Sequence, residues 1–476
     1  MAKFNKAANQ PTATNFAGGE AFLESPKLEL ASILLASFAT DEFYRSGGAT
    51  IERIRALVGA IPDREFSARA AVLARREYGM RTVSHVVAAE LAHSVKGAGW
   101  TKRFFAEVVQ RPDDATEVAA YYLGRYGKPF PNSLKKGLAL GLAKFDAYQL
   151  AKYRAENATV KLVDLVNIAH PKPVERNAEA LRKLVAGELR SEGTWETALS
   201  AAGQAAETGE AKLELKREAW AELIASRKLG YFALLRNLRS IIEAAPESVP
   251  AALEMLTDER LVSRSRVLPF RFGTAYRELQ GVAGTAEVLT ALSRAAELAL
   301  RNVPEFAGST LVALDVSGSM RGRPFEIGSL FAAALARRSG ADVMVFSESA
   351  KYHNLAVDSG LFGAVESLAG AATWGGTNFH SVFETATRAY DRIIILSDMQ
   401  AWIGHYTPAK PFAEYRKRTG AAPKVFTFDL AGLGTLQFPE RDVFALAGWS
   451  DRAFEVMRIL ETDRGALLNQ VEAVTF

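Results

Sequence analysis

Residues 310–320 read Thr-Leu-Val-Ala-Leu-Asp-Val-Ser-Gly-Ser-Met, an apolar run ending in one carboxylate, Asp315, and two hydroxyls, Ser317 and Ser319. Oxygens alternating along a turn at a strand end are suited to a hard divalent cation. Mg²⁺ takes near-octahedral oxygen ligands, keeps several waters, and binds through one or two carboxylates plus neutral oxygens. Two further segments can complete such a set. Gly375-Gly376-Thr377-Asn378 offers a third hydroxyl, and Ile393-Ile394-Ile395-Leu396 runs out into Ser397-Asp398. Asp315 and Asp398 would supply the charge, and Ser317, Ser319 and Thr377 the neutral oxygens. Taken alone, residues 315–319 fit a capped strand-to-helix turn equally well. Thr377 and Asp398 tip the reading toward a metal site.

Both apolar runs are nearly continuous, as expected of parallel strands buried on both faces. Each acidic residue sits at a carboxyl end, where open α/β sheets gather ligands. The segments 311–314, 325–338, 342–346, 361–368, 379–390, 393–396, 424–428 and 441–447 continue an alternating pattern of strands and helices. That pattern predicts a doubly wound parallel sheet over residues 301–476, with 471–476 as a last strand or a tail docked on it. The five oxygen-bearing positions resemble the metal-ion-dependent adhesion site of von Willebrand factor A domains, over about residues 305–476. The resemblance implies Mg²⁺ or a similar cation with one open coordination position, completed by an acidic group from a partner protein. A haloacid-dehalogenase-type phosphatase would need a second Asp where Ser317 stands. No Gly-x-x-x-x-Gly-Lys-Ser/Thr run is present for a P-loop.

The 476 residues predict two or three domains, and 49% hydrophobic with 24% charged residues is ordinary globular composition. With no cysteine, disulfides, thiolate zinc sites and cysteine nucleophiles are excluded. The polar start MAKFNKAANQPTATNF lacks the apolar core of a signal peptide, and no run of 18 apolar residues occurs. A cytoplasmic protein without a membrane partner is the expectation. The net charge of +4 is unevenly divided: residues 305–476 hold 16 basic against 19 acidic residues, leaving 42 against 35 in residues 1–304. The excess of +7 lies in the N-terminal part, the direction expected of a polyanion-binding module.

Residues 20–300 read as successive helices with apolar residues recurring at three and four, broken by short Gly, Pro, Asn or Asp turns. Helices of this length joined by short turns predict stacked hairpins of the HEAT type over residues 1–300, with a single compact bundle as the alternative. One stretch, 131–173, gathers Lys135, Lys136, Lys144, Lys152, Arg154, Lys161, His170 and Lys172, interleaved with Phe145, Tyr148 and Tyr153. Lysines with nearby aromatics can hold phosphates and stack bases. The same composition also suits a solvated helix face over core aromatics. His170 ends an apolar helix before Pro171-Lys172-Pro173, which equally suits a helix cap. His85 and His93 fall on an apolar helix and are expected to carry no chemistry.

The segment PNSLKKGL through KFDAYQLAKY to KLVDLVNIAHPKP resembles the TROVE domain of the Ro autoantigen family. So do TNFAGGEAF near the N-terminus, RPDDATEVAAYYLGRYG at 111–127, LLRNLRSI at 234–241 and SRVLPFRFGTAY at 265–276. A TROVE domain followed by a von Willebrand A domain is that family's architecture. The resemblance implies a ring of helical repeats that binds small non-coding Y RNAs on its outer surface. It also implies threading of single-stranded 3′ ends of misfolded RNAs through the hole and, in bacterial members, a tether to an exoribonuclease in RNA quality control. It places His170, in its His-x-Lys-Pro turn with Lys172, and Lys135 and Lys136, in the Asn-x-Leu-Lys-Lys run, at RNA contacts. Lys144 joins this set from the charge pattern. The expectation is a non-catalytic RNA-binding protein. The alternative is a metal-dependent adhesion module. A nuclease is disfavoured because the acidic pair lacks a second cluster and a general base.

Overall fold

The computed structural model describes residues 13–14, 20–21, 25–36, 47–156, 158–190, 199, 208–227, 229–355, 359–400, 408–431, 442–447, 453–462 and 465–476. Most of the TNFAGGEAF motif and residue 441 lie outside them. The chain divides into two compact units that do not follow chain order. One comprises Met1–Thr50, Leu268–Gly273 and Ala299–Leu467; the other comprises Ile51–Val267, Thr274–Leu298 and Leu468–Phe476.

The first unit is built on a sheet. Ala13–Thr14 (β1) and Glu20–Ala21 (β2) form a separate antiparallel pair. The main sheet contains Thr310–Asp315 (β3), Asp342–Phe346 (β4), Ala350–Tyr352 (β5), Arg392–Ser397 (β6), Lys424–Asp429 (β7) and Val443–Ala447 (β8), in the order β5-β4-β3-β6-β7-β8. All pairings are parallel except β4 with β5. This is the doubly wound arrangement expected, with an antiparallel edge that the sequence did not announce. β5 is only three residues long, too short for its alternation to register. Strand order reverses between β3 and β6, so the crevice at their carboxyl ends is the switch point of the sheet.

Every residue of β3 and β6 is buried, which matches the uninterrupted apolar runs. Leu311, Ala313, Ile393, Ile395 and Val425 enter a core with Phe379, Phe383, Phe412 and Tyr415. Phe331 of the helix Arg323–Ser339 stacks on Phe454, with centroids 4.5 Å apart, and both rings stack with Phe270. That aromatic packing accounts for Leu268–Gly273 clustering with the sheet, although sequence order places it among the helices. Helix α1 (Pro26–Ala36) packs on β8 and on Ala453–Thr462 for the same reason: Leu30, Leu34 and Leu35 are buried. The helix expected over 379–390 is confined to His380–Thr385. Past Ala386 the chain turns extended and sends the Tyr390 hydroxyl to Asp342.

The second unit is helical. It holds Gly47–Ala60 (α2, from residue 51), Arg64–Arg76 (α3), Thr82–Ser94 (α4), Thr101–Val108 (α5), Pro112–Tyr126 (α6), Asn132–Leu142 (α7), Ala147–Lys152 (α8), Leu162–Ala169 (α9) and Ala178–Val185 (α10), with further helices between residues 209 and 299. Three of the starts carry a clear local signal. Asp63 caps α3 by accepting from Phe66 N, Pro112 opens α6, and Asp146 and Gln149 cap α8 reciprocally. The tail does not add a strand to the sheet. Ala466–Glu472 is helical, and Phe476 packs on Trp100 and Phe104 of the helical unit, with centroids 5.9 Å from each.

Helices α5 and α7 approach closely because α7 presents Gly137 and Gly141 to α5. A Cβ on Gly137 would stand 2.5 Å from Phe105 Cβ and 2.9 Å from the Lys102 carbonyl; one on Gly141 would stand 2.9 Å from Val109 Cβ. Gly137→Ala is therefore expected to destabilise the protein by about 1–3 kcal/mol, the usual cost of overpacking, despite alanine's better helix propensity. A thermal melt reads it; an unchanged midpoint would mean that the two helices separate freely.

Candidate functional site

The turn after β3 is fixed by its own side chains. Asp315 is fully buried; its Oδ1 accepts from Ser317 N at 2.8 Å and its Oδ2 from Ser397 Oγ at 2.6 Å. Leu314 pairs with Leu396, so Asp315 and Ser397 emerge side by side from neighbouring parallel strands. Ser317 Oγ lies 3.2 Å from Ser319 Oγ. Asp398 is buried and its Oδ1 accepts from Gln400 N at 3.2 Å. The loop carrying Thr377 is tied to the same turn: Trp374 N donates to Val316 O and Gly318 N to Gly375 O, both at 2.9 Å. Thr377 is buried. Trp374 and Met399, on the two segments flanking the turn, hold positive φ of 56° and 58°. Non-glycine residues in this region carry strain that clusters at functional sites.

Both carboxyls are shifted in the direction that disfavours their charge. Burial pushes the Asp315 carboxyl up to about 7, and the charge of Asp398 adds to the rise against the Ser317 and Ser397 hydrogen bonds. Burial likewise raises Asp398, opposed by Ser319. Among the described residues, no Lys, Arg or His forms an ion pair with either. Two buried carboxylates without a basic partner, ringed by hydroxyls, are a donor set that fits Mg²⁺. Ser397 was legible as the residue before Asp398 but was not singled out. Its role as Asp315's partner follows only from strand register.

The basic segment 131–173 is anchored from below. Leu134, Leu138, Leu142, Phe145, Leu150, Leu162 and Leu165 are buried. Asn177 Nδ2 donates to Phe145 O at 3.1 Å and the Arg176 guanidinium to Ala143 O at 2.9 Å. Lys136, Lys172 and His170 are exposed and Lys135 is half-buried. None of these three lysines has a carboxylate partner among the described residues. His170 also caps α9: it adopts left-handed geometry with φ 49°, donates its N–H to Val166 O at 2.9 Å, and precedes the buried Pro171. Capping engages its backbone and leaves the imidazole at the surface, so the two readings of His170 are compatible.

Lys144 differs from that set. Its ammonium donates to Ala106 O at 2.7 Å in the last turn of α5 and lies 4.0 Å from Glu107. Burial lowers its pKa. The charge pattern that grouped it with surface lysines could not reveal that its partner is a helix-end carbonyl 38 residues earlier.

The sequence also hid a buried ionic cluster. Asp114 Oδ2 accepts from Arg75 at 2.7 Å and 3.0 Å and from the N–H groups of Gln110 and Arg111; Oδ1 accepts from Arg81 Nε at 2.9 Å. His85 Nε2 lies 3.2 Å from Asp114 and its Nδ1 2.8 Å from Glu117. Burial works against ionising both groups. The mutual contacts prevail, raising His85 and holding Asp114 well below the usual carboxylate range. The Arg-Pro-Asp-Asp run, one of the breaks between helices in the sequence, therefore opens α6 and supplies the hub that joins α3, α4 and α6.

Comparison with known proteins bears on both halves. The chain matches the TROVE domain family over residues 30–198 and 162–284, together more than half its length. It is 28% identical over 257 residues to a Deinococcus radiodurans protein named RNA-binding protein RO60, covering 47% of this chain and 48% of that one. It is 25% identical over 338 residues to telomerase protein component 1 of Rattus norvegicus, covering 54% of this chain and 13% of the relative. The chain thus spans about half the first relative and a small part of the second. The solved structure of the Deinococcus radiodurans RO (RSR) protein shares the fold, with TM-score 0.63 and 21% identity over 94% of this chain and 99% of that one. No described helix is long and apolar enough to cross a membrane. On the extent of the domain match, this chain belongs to the TROVE-domain proteins of the Ro autoantigen family.

Proposed function

We propose that the chain is a non-catalytic RNA-binding protein that takes small non-coding RNAs of the Y type and the single-stranded 3′ ends of misfolded RNAs. In that role it serves RNA quality control in the cytoplasm, as a scaffold or as a tether for an exoribonuclease. The observation that carries this reading is the exposure of Lys136, Lys172 and His170, with Lys135 beside them, free of carboxylate partners among the described residues and next to rigidly anchored helices. Unpaired surface lysines release counterions from phosphates. Affinity then falls with log salt at a slope of roughly −0.7 per phosphate on single strands and −0.9 on duplexes. The relative named an RNA-binding protein supports the same reading. The residues Asp315, Ser317, Ser319, Thr377 and Asp398 would hold Mg²⁺, which when bound offers a Lewis-acidic docking point for an acidic group of a partner protein.

A variant carrying Lys135→Ala, Lys136→Ala and His170→Ser is expected to bind a small structured RNA at least about tenfold more weakly at low salt, with the salt slope smaller by roughly 0.9 for each phosphate no longer neutralised. Fluorescence anisotropy across a salt series reads both. Wild-type affinity with a wild-type slope counts against these residues as RNA ligands. Equal affinity for a structured RNA with and without a 3′ tail would remove tail binding from the proposal. A second reading, metal-dependent adhesion through the sheet unit, rests on the buried carboxylate pair. A pull-down with EDTA or ribonuclease separates the two: partners lost only with EDTA favour adhesion.

A further inference from the structure

Tyr148 and Lys152 of helix α8, its C-cap Tyr153 and Arg111 form an alternating series of aromatic rings and cations. Tyr148 is 50% exposed, though large and aromatic. Lys152, one helical turn on and exposed, sets its ammonium 5.8 Å from the Tyr148 ring centroid and 5.4 Å from that of Tyr153. The Arg111 guanidinium lies 4.2 Å from the Tyr153 ring, held in place by two hydrogen bonds to Asp113. Lys152 has no carboxylate partner among the described residues, and Tyr148's hydroxyl has no hydrogen-bond partner among them either. The helix beneath is fixed by its reciprocal Asp146–Gln149 cap and by the buried Leu150 and Ala151.

We propose that Tyr148 is a stacking platform for an unpaired RNA base, with Lys152 taking the adjoining phosphate. The chemistry is complementary on both counts. A half-exposed ring on a capped short helix loses little freedom when a base stacks on it. A cation between two rings is placed to meet the phosphate that joins one base to the next. Charge selects a polyanion here, and the free ring selects one with unpaired bases, so a duplex would satisfy only the lysine. This rests on the RNA-binding reading above and adds to it a site that senses strand state.

The test uses the full chain and a fluorescein-labelled oligouridylate twelve-mer. Tyr148→Ala is expected to weaken binding about 5- to 100-fold while leaving the salt slope unchanged, because no cation is removed. Tyr148→Phe should bind as wild type does, and Lys152→Ala should lower the slope by roughly 0.7. With 4-thiouridine in the oligonucleotide, irradiation should crosslink it to the peptide carrying Tyr148. Wild-type affinity in Tyr148→Ala, while the Lys135→Ala, Lys136→Ala variant is weakened, overturns the platform and leaves the RNA-binding reading standing. Absence of binding by the wild-type chain overturns both. Tyr148 is half-exposed, so its variants should keep the wild-type melting temperature, which checks that any loss is local.

Discussion

Asp114→Ala is expected to destabilise the helical unit by about 3–5 kcal/mol, the usual cost of removing one partner from a buried ion pair. The reason lies in what remains. Arg75 and His85 are buried at 7% and 2% exposure, and both are deprived of the one carboxylate in this cluster that is itself fully buried. The N–H groups of Gln110 and Arg111, which Asp114 satisfies at the start of α6, are also released. Asp114→Asn should cost less, since it keeps one accepting oxygen but loses the charge. The cluster also predicts a pH signature. The carboxyl of Asp114 is depressed, so its contribution is present above the unfolded value near 3.9 and lost as pH falls through the folded one. His85 is raised, so its contribution is complete below the unfolded value near 6.5 and lost as pH rises through the folded one. The gap in melting temperature between wild type and Asp114→Ala should therefore be widest between about pH 4 and 6.5 and narrow on either side. A gap independent of pH would mean that the cluster's contribution is packing alone.

How much of this was legible from sequence depends on how local each determinant is. The strands ending in Asp315 and Ser397 were readable because a buried parallel strand is a continuous apolar run. The helices were readable from apolar residues recurring at three and four, and the Pro-Asp and Arg-Pro-Asp-Asp breaks fall where α3 and α6 start. What escaped was decided by partners distant in the chain. Phe270 reads as one more helix residue, yet it stacks on Phe331 and Phe454. Phe476 reads as the end of the sheet unit, yet it packs on Trp100 and Phe104. Lys144 and Lys136 carry the same charge eight residues apart, but only a carbonyl on α5 distinguishes the anchored one from the exposed one. His85 looked inert because its ion-pair partners lie about thirty residues later. The acidic pair was legible as two carboxyls at the ends of apolar strands; Ser397's bond to Asp315 needed the register of β3 against β6.

For the proposed metal centre, Mg²⁺ is expected to stabilise the wild type, and Asp315→Ala and Asp315→Asn are expected to abolish that stabilisation. A ligand at a hundred times its Kd stabilises the native state by about 2.7 kcal/mol, so the wild-type melting temperature should rise clearly with added Mg²⁺ and fall back with EDTA. The two variants should differ without metal. In Asp315→Asn the new amide oxygen can still accept from Ser317 N, and the Ser397 hydroxyl can turn to accept from the amide N–H. Asp315→Ala leaves both donors unmet in a fully buried place. The charge term then favours the asparagine variant. A carboxyl raised to about 7 opposes folding by an amount that grows from the unfolded value near 3.9 up to that pH. In EDTA at neutral pH, Asp315→Asn should therefore melt at or above the wild type and Asp315→Ala below it, while in Mg²⁺ both should melt below. RNA affinity should be unaffected in each, because the basic residues proposed to hold RNA lie in the helical unit. A Mg²⁺-dependent shift that survives in both variants would show that Asp315 is not a ligand; wild type above Asp315→Asn in EDTA would show that the buried pair is already compensated.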